Sequence, residues 1–514
     1  MDRLTRLPTL ILTEIFVQLE NESSIKGLIR AYPSMLSIYY RYEQGILTRI
    51  LNNLLAYDVE GRIRKDALAI IEFYNPKGKF YWQVRRPGFQ LKDMWFPEWT
   101  DPPNRGNLRQ LHRLLSRIVT FIEDYVSKAT SGYPPRAYLG LPDLETGNTT
   151  FRGNLLDTRM VRFINLTRSE RHRLLRHFVR YEFLCKLHNA YIIREFAPSR
   201  FRKFNKFGAR NDLDPKLLLS VHEYYVSLYG ALFAHGGDAW LPPVPICSSA
   251  QGVTNDSVPH YRPLIFPDNL LFDASEYLAD ITHCSDPDLP QLMAGYGLDL
   301  LTRVLRCSKT ETEEGKTCVR AMLNAYWNRG DDDPEPWIKI YYEEHRNEAL
   351  FAYPELTTPS TVSPEPLSES SLQSLNKSVY CGLSWHETEN KLSHGSHRLQ
   401  VQIYRQRGWG WFDNQRLYSN TAFHFPTIER LFDIETSRSI LRKLALELPH
   451  EEFMAQGADQ TRRRSQLWQD YWAGTRATEP SRMLYDSTRR FRFFNDDPVR
   501  PGLPYIWGDS RDWE

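Results

Sequence analysis

Cysteine is scarce: Cys185, Cys247, Cys284, Cys307, Cys318 and Cys381 are the only six in 514 residues, too few and scattered for a disulfide framework. Long apolar runs are missing too. No window approaches about 18 uncharged apolar residues, so no transmembrane helix is expected. The first apolar stretch is broken by Thr13, Glu14 and Gln18, whereas a secretory leader would be uninterrupted. Charge of one sign is absent: 65 basic and 63 acidic side chains leave +2, which gives no motive for a partner such as nucleic acid or anionic lipid. Glycine (27) and proline (32) are at ordinary levels, which excludes collagen-like and low-complexity chains. The expectation is a reduced, intracellular protein of the cytoplasm or nucleus, without membrane contact.

Catalytic signatures are missing as well. Gly295-Tyr-Gly297 lacks a third glycine and follows no predicted strand, and there is no Gly-x4-Gly-Lys-Ser/Thr loop. No Gly-x-Ser-x-Gly elbow or His-Glu-x-x-His helix occurs. No catalytic residue and no cofactor is therefore assigned, and the chain is read as a non-enzyme. Cys381, His386, His394 and His397 carry zinc-ligand chemistry, but their Cys-x4-His-x7-His-x2-His spacing matches no standard finger. They are read as ordinary side chains, as are Cys307 and Cys318.

What the chain does have is apolar mass: 41% hydrophobic residues, including 13 Trp, 28 Tyr and 26 Phe, enough for a sizeable core. Its length suggests two to four domains or one large irregular one. Helical periodicity dominates. Leu12, Ile15, Phe16 and Leu19 fall at i, i+3, i+4 and i+7, with Leu7 and Ile11 extending the stripe and Pro8 suited to the first turn. Asn21 to Ser24 form a polar break and an N-cap for a second helix, and Pro33 separates it from a third that runs through Gly45. Further helices are expected over residues 65–73, 111–128, 298–305, 319–327 and 436–448. Thr167 and Glu170 make a capping box, and Asp214-Pro215 opens a helix stopped by Gly236-Gly237.

Residues 131–148 read as a loop, and residues 399–404 are the best strand candidate, on alternation alone. Residues 355–378, rich in Pro, Ser and Thr, read as a linker or surface loop. The fold class is mainly α: a three-helix module over residues 1–56 and an irregular helical body over 57–354. The linker then leads to an aromatic-rich region, 379–514, packed on the body. Residues 200–210 interleave cations with phenylalanines in a composition that binds single-stranded nucleic acid, but with +2 overall they read as an amphipathic connector. Arg462-Arg-Arg464 reads as a solvated helix face.

Leu7-Pro8, then Ile11-Leu12, Ile15-Phe16 and Leu19, resemble the opening of an F-box. The resemblance covers residues 5 to about 50. It implies a three-helix module that docks on the adaptor subunit of SCF-type cullin–RING ubiquitin ligases while the rest of the chain holds an unknown protein substrate. Leu7 and Pro8 would sit at the adaptor contact, with Ile11, Leu12, Ile15, Phe16 and Leu19 divided between contact and internal packing. Leu10 departs from the family, which commonly has Glu there, and Ile29-Arg-Ala-Tyr-Pro33 replaces its later Val-Cys-Arg stretch. The stretches beginning at Leu28, Ser169 and Gly408 are similar to F-box-like proteins of filamentous fungi, a mostly helical group without an activity to transfer. The alternative is a helical interaction scaffold with no ligase link, in which Leu7, Ile11 and Ile15 would be covered by the chain itself.

Overall fold

The computed structural model describes residues 7–73, 105–192, 214–244, 268–278, 289–308, 391–418, 424–427, 430–431 and 462–480. Within them the chain is mainly helical. Three helices open it: α1 (Thr9–Leu19), α2 (Glu22–Ala31) and α3 (Met35–Leu54). Pro8 stands just ahead of α1, and its carbonyl accepts from the Ile11 and Leu12 amides. Asn21 caps α2 as its sequence position suggests: its Oδ1 accepts from Ser24 N at 2.7 Å. Glu20 closes α1 at φ 55°, a left-handed backbone that costs a non-glycine residue about 1–3 kcal/mol.

The body is built on long helices. They are α4 (Arg62–Glu72), α5 (Arg105–Ala129), the short α6 (Pro134–Tyr138), α7 (Arg168–Ile192) and α8 (Pro215–Gly236). α9 (Leu289–Ala294) and α10 (Leu298–Ser308) follow, then α11 (Lys391–Gln406) and α12 (Gln466–Trp472). The Thr167–Glu170 box closes in both directions, with Thr167 N donating to Glu170 Oε2 at 2.8 Å and Glu170 N to Thr167 Oγ1 at 3.2 Å. Asp214 Oδ1 accepts from Lys216 N at 2.9 Å ahead of Pro215.

Three sequence expectations are corrected. Residues 131–148, read as a loop, contain α6 and the first strand of a small antiparallel sheet: β1 (Leu141–Pro142), β2 (Thr149–Phe151) and β3 (Asn154–Leu155), ordered β1-β2-β3. Residues 399–404, read as a strand, lie inside α11. The alternation there misleads because Gln400, one of its two polar positions, is buried too. Gln400 Nε2 donates to the Pro426 carbonyl and Gln406 Nε2 to the Phe272 carbonyl, so residues 399–406 are covered nearly all round. Arg464, read as solvated, is buried between Asp268 (2.9 and 2.6 Å) and Glu276.

One hydrophobic cluster runs from Leu12 in α1 to Trp411 after α11 and includes side chains of α5, α7, α8 and α10. Trp411 is wholly buried against His177 and Phe178, and its Nε1 donates to Tyr125 OH at 2.9 Å. Tyr125 OH in turn donates to the Arg405 carbonyl at 2.7 Å, which ties α11 to α5. The segments read as linker (355–378), basic connector (200–210) and helices over 319–327 and 436–448 lie outside the described residues, as do Cys318, Cys381 and His386. His394 and His397 fall within α11.

Candidate docking surface

α1 carries apolar side chains on two faces. The inward face is Leu12, Phe16 and Val17, all under about 2% exposed, with the Phe16 ring 5.3 Å from that of Tyr39 in α3. Glu14, two residues earlier, pairs with Arg49 further along α3, so the helices run in opposite senses. Ile15 and Leu19 are half-buried at the edge of this contact. The outward face is the start of the helix: Leu10 is 74% exposed and Ile11 45%, with Leu7 (37%) and Pro8 exposed just ahead of the first turn. Leu10 and Ile11 are neighbours in the first turn, and Leu7 leads into it through the extended Pro8, so the exposed apolar side chains form a ridge at the start of α1.

The seven residues singled out by the sequence therefore divide three ways. Leu7, Pro8 and Ile11 are presented to solvent, Leu12 and Phe16 hold the three-helix module together, and Ile15 and Leu19 span the boundary. Leu10, which sequence reasoning set aside as a departure, is the most exposed residue of the ridge. Its signal was available in the sequence, since it stands next to Ile11 in the turn that Pro8 opens. The first turn of α1 carries no acidic side chain, although the helix dipole favours one there by about 0.3–1 kcal/mol. An exposed leucine at that point contributes nothing to the fold that an acid would not improve. The exposed Tyr32, Leu36 and Tyr40 form a second apolar group at the far end of the antiparallel pair.

Polar contacts hold the module on the body along one stripe of α5. Glu43 of α3 is almost wholly buried, and its carboxylate meets Arg105 Nε at 2.8 Å and Arg109 Nη2 at 2.6 Å. Burial pushes that carboxyl up, but the Arg109 and Arg105 guanidiniums outweigh it and hold the group below the ordinary Glu range. One to two turns on, His112 Nε2 lies 3.0 Å from the Glu20 carbonyl, which can only accept, so Nε2 carries the proton. Burial keeps this imidazole neutral. Glu22 N donates to Ser116 Oγ at 3.3 Å, and the Glu22 carboxylate pairs with Arg113 at 3.3 Å.

Elsewhere, buried polar groups are consumed by packing. Asp124 accepts from Thr149 Oγ1 (3.0 Å) and Tyr224 OH (2.8 Å) and pairs with the fully buried Lys128 at 2.6 Å. The small cleft beside Pro135, Phe272 and Tyr277 is lined by Arg464 and by its ion-pair partners Asp268 and Glu276. Among the described residues no group of three His, Cys, Asp or Glu side chains is placed to hold a metal ion, and no helix is long and apolar enough to cross a membrane. Compared with known proteins, the chain matches no family model, no curated protein and no solved structure.

Proposed function

We propose that this protein is a substrate receptor: the α1 ridge of Leu7, Pro8, Leu10 and Ile11 docks on the adaptor subunit of an SCF-type ubiquitin ligase, and the helical body holds a protein target. The observation that carries the reading is the pair of apolar faces on α1. One face is used internally, while the other is open on the residues that resemble the F-box opening. Helix-in-groove recognition buries such a ridge. Covering three partly exposed side chains yields about 1 kcal/mol each, roughly 3 kcal/mol in all. Micromolar affinity needs about 8 kcal/mol, so the ridge acts as an anchor within a wider contact that takes in the boundary residues Ile15 and Leu19.

The test is adaptor binding by the purified chain, with Leu7→Ser, Pro8→Ser and Ile11→Ser combined. The expected outcome is micromolar binding by the wild type and a loss of about 100-fold in the triple variant, with the melting temperature unchanged. Equal binding by both chains, or none by the wild type at tens of micromolar, would exclude the reading.

A second reading, a plain interaction scaffold, is supported by the continuity of the core from α1 into the body. It differs in expecting that deletion of residues 7–56 unfolds the body and that the ridge has no partner of its own.

A further inference from the structure

We infer that the α5 stripe Arg105, Arg109, His112 and Ser116 is a positioning clamp, which holds the α1 ridge in one fixed direction relative to the body. The four residues are spaced by four, three and four, so they lie on one face of α5 and extend about 16 Å along it. They meet the module at two places. Arg105 and Arg109 grip the Glu43 carboxylate in the middle of α3, and His112 holds the Glu20 carbonyl at the α1–α2 junction. Ser116 holds the first amide of α2.

Contacts at two separated points, the middle of α3 and the α1–α2 junction, add to the hydrophobic core that α1, α3 and α5 share and remove the rotations that a single hinge would leave. The Glu43 carboxylate is 3% exposed, so it cannot turn to water when its partners move. Glu20, whose carbonyl His112 holds, turns the chain between α1 and α2 at a φ of 55°. The module is thus a fixed end-piece of the body. Its purpose rests on the proposed ligase reading: an adaptor on the ridge and a cargo on the body stay at one separation and angle. Glu43 is a positioning residue in this scheme, since it touches neither partner.

Hydrogen exchange of the intact free chain tests the clamp without any adaptor. Amides of α1–α3 are expected to exchange within about tenfold of those of α5, because both open with the same unit. E43Q is expected to lower protection across α1–α3 by at least about tenfold, leave α8 unchanged and alter adaptor affinity by less than about threefold. Wild-type α1–α3 exchange more than about tenfold faster than α5, or E43Q protection equal to wild type, overturns the clamp. If E43Q is insoluble, R105M keeps the Arg109–Glu43 pair and reads the same loss at smaller amplitude, with unchanged protection again overturning the proposal. Failure of the wild type to bind adaptor sinks the ligase reading alone, because the exchange result stands without it.

Discussion

Leu10 and Leu12 stand two positions apart on α1, yet Leu10 is 74% exposed and Leu12 is 2% exposed. Rotation of about 200° between them sends one to solvent and the other into the α1–α3 contact. Stability and partner binding should therefore separate cleanly on this helix. Phe16→Ala, which empties a fully buried aromatic site, is expected to cost about 3–5 kcal/mol. Leu10→Ala should stay within about 0.5 kcal/mol of wild type. Urea unfolding of the two variants reads the difference. A destabilisation of Leu10→Ala comparable to that of Phe16→Ala would mean the first turn is packed rather than presented.

Two glycines with positive φ separate backbone strain from crowding. Gly61 precedes α4 at φ +66° with nothing within 4 Å of a built Cβ. Gly297 precedes α10 at φ +78°, and a Cβ there would lie 2.5 Å from Glu182 Oε2 and 2.9 Å from Cys185 Cβ. Glu182 cannot move away without losing its bond from the Leu298 amide at 2.7 Å. Gly61→Ala is expected to cost about 1–2 kcal/mol, the left-handed penalty alone. Gly297→Ala adds overpacking and should cost about 1–3 kcal/mol more. Thermal melts of the two variants, compared with wild type, read the gap.

Sequence reasoning succeeds here where the chemistry is local. Asn21, Asp214 and the Thr167–Glu170 pair cap helices through bonds that close within three residues, so adjacent letters contain the whole interaction. It fails where the partner is far along the chain. Arg464 reads as solvated because Asp268, its partner, stands 196 residues away. Gln400 reads as the wet face of a strand because nothing nearby announces the carbonyl of Pro426. The docking ridge falls between these cases. Spacing located its helix and most of its residues, but only burial separated Leu7 and Ile11 from Leu12 and Phe16.

Acid should loosen the body as its buried histidines take up protons on unfolding. Burial lowers His177, His235 and His424 to about 4 and His222 to about 3. The unfolded value is about 6.5. With folded values below the unfolded one, the unfolded chain binds more protons. The stabilisation is therefore complete above pH ~6.5 and declines as pH falls towards ~4, by up to about 1.4 kcal/mol per histidine per unit. Denaturant unfolding at pH 7 and pH 5 should show a marked drop. His222→Phe removes one such group, along with the 2.8 Å contact from Tyr181 OH. It should be less stable than wild type at pH 7, with a slope against pH shallower by about one proton. An unchanged slope would show that His222 is not held neutral by burial.

Glu170 and Thr167 share a capping box but not a burden. Thr167 Oγ1 accepts from the first turn of α7 and donates to the exposed Asp413 carboxylate, so Thr167→Ala is expected to cost about 1–2 kcal/mol. The Glu170 carboxylate is fully buried and accepts from Thr167 N, from Asp413 N at 2.9 Å and from Arg416 Nη1 at 2.7 Å. Those bonds outweigh its desolvation and hold its carboxyl below the ordinary Glu range. Glu170→Ala strands two amides and a guanidinium and cuts the loop that seats Trp411, so a loss of about 3–5 kcal/mol is expected. Because Trp411 is wholly buried, its fluorescence should shift to the red in Glu170→Ala and stay at the wild-type position in Thr167→Ala. Coincident spectra for the two variants would show that the loop is held by its aromatic packing, without help from the carboxylate.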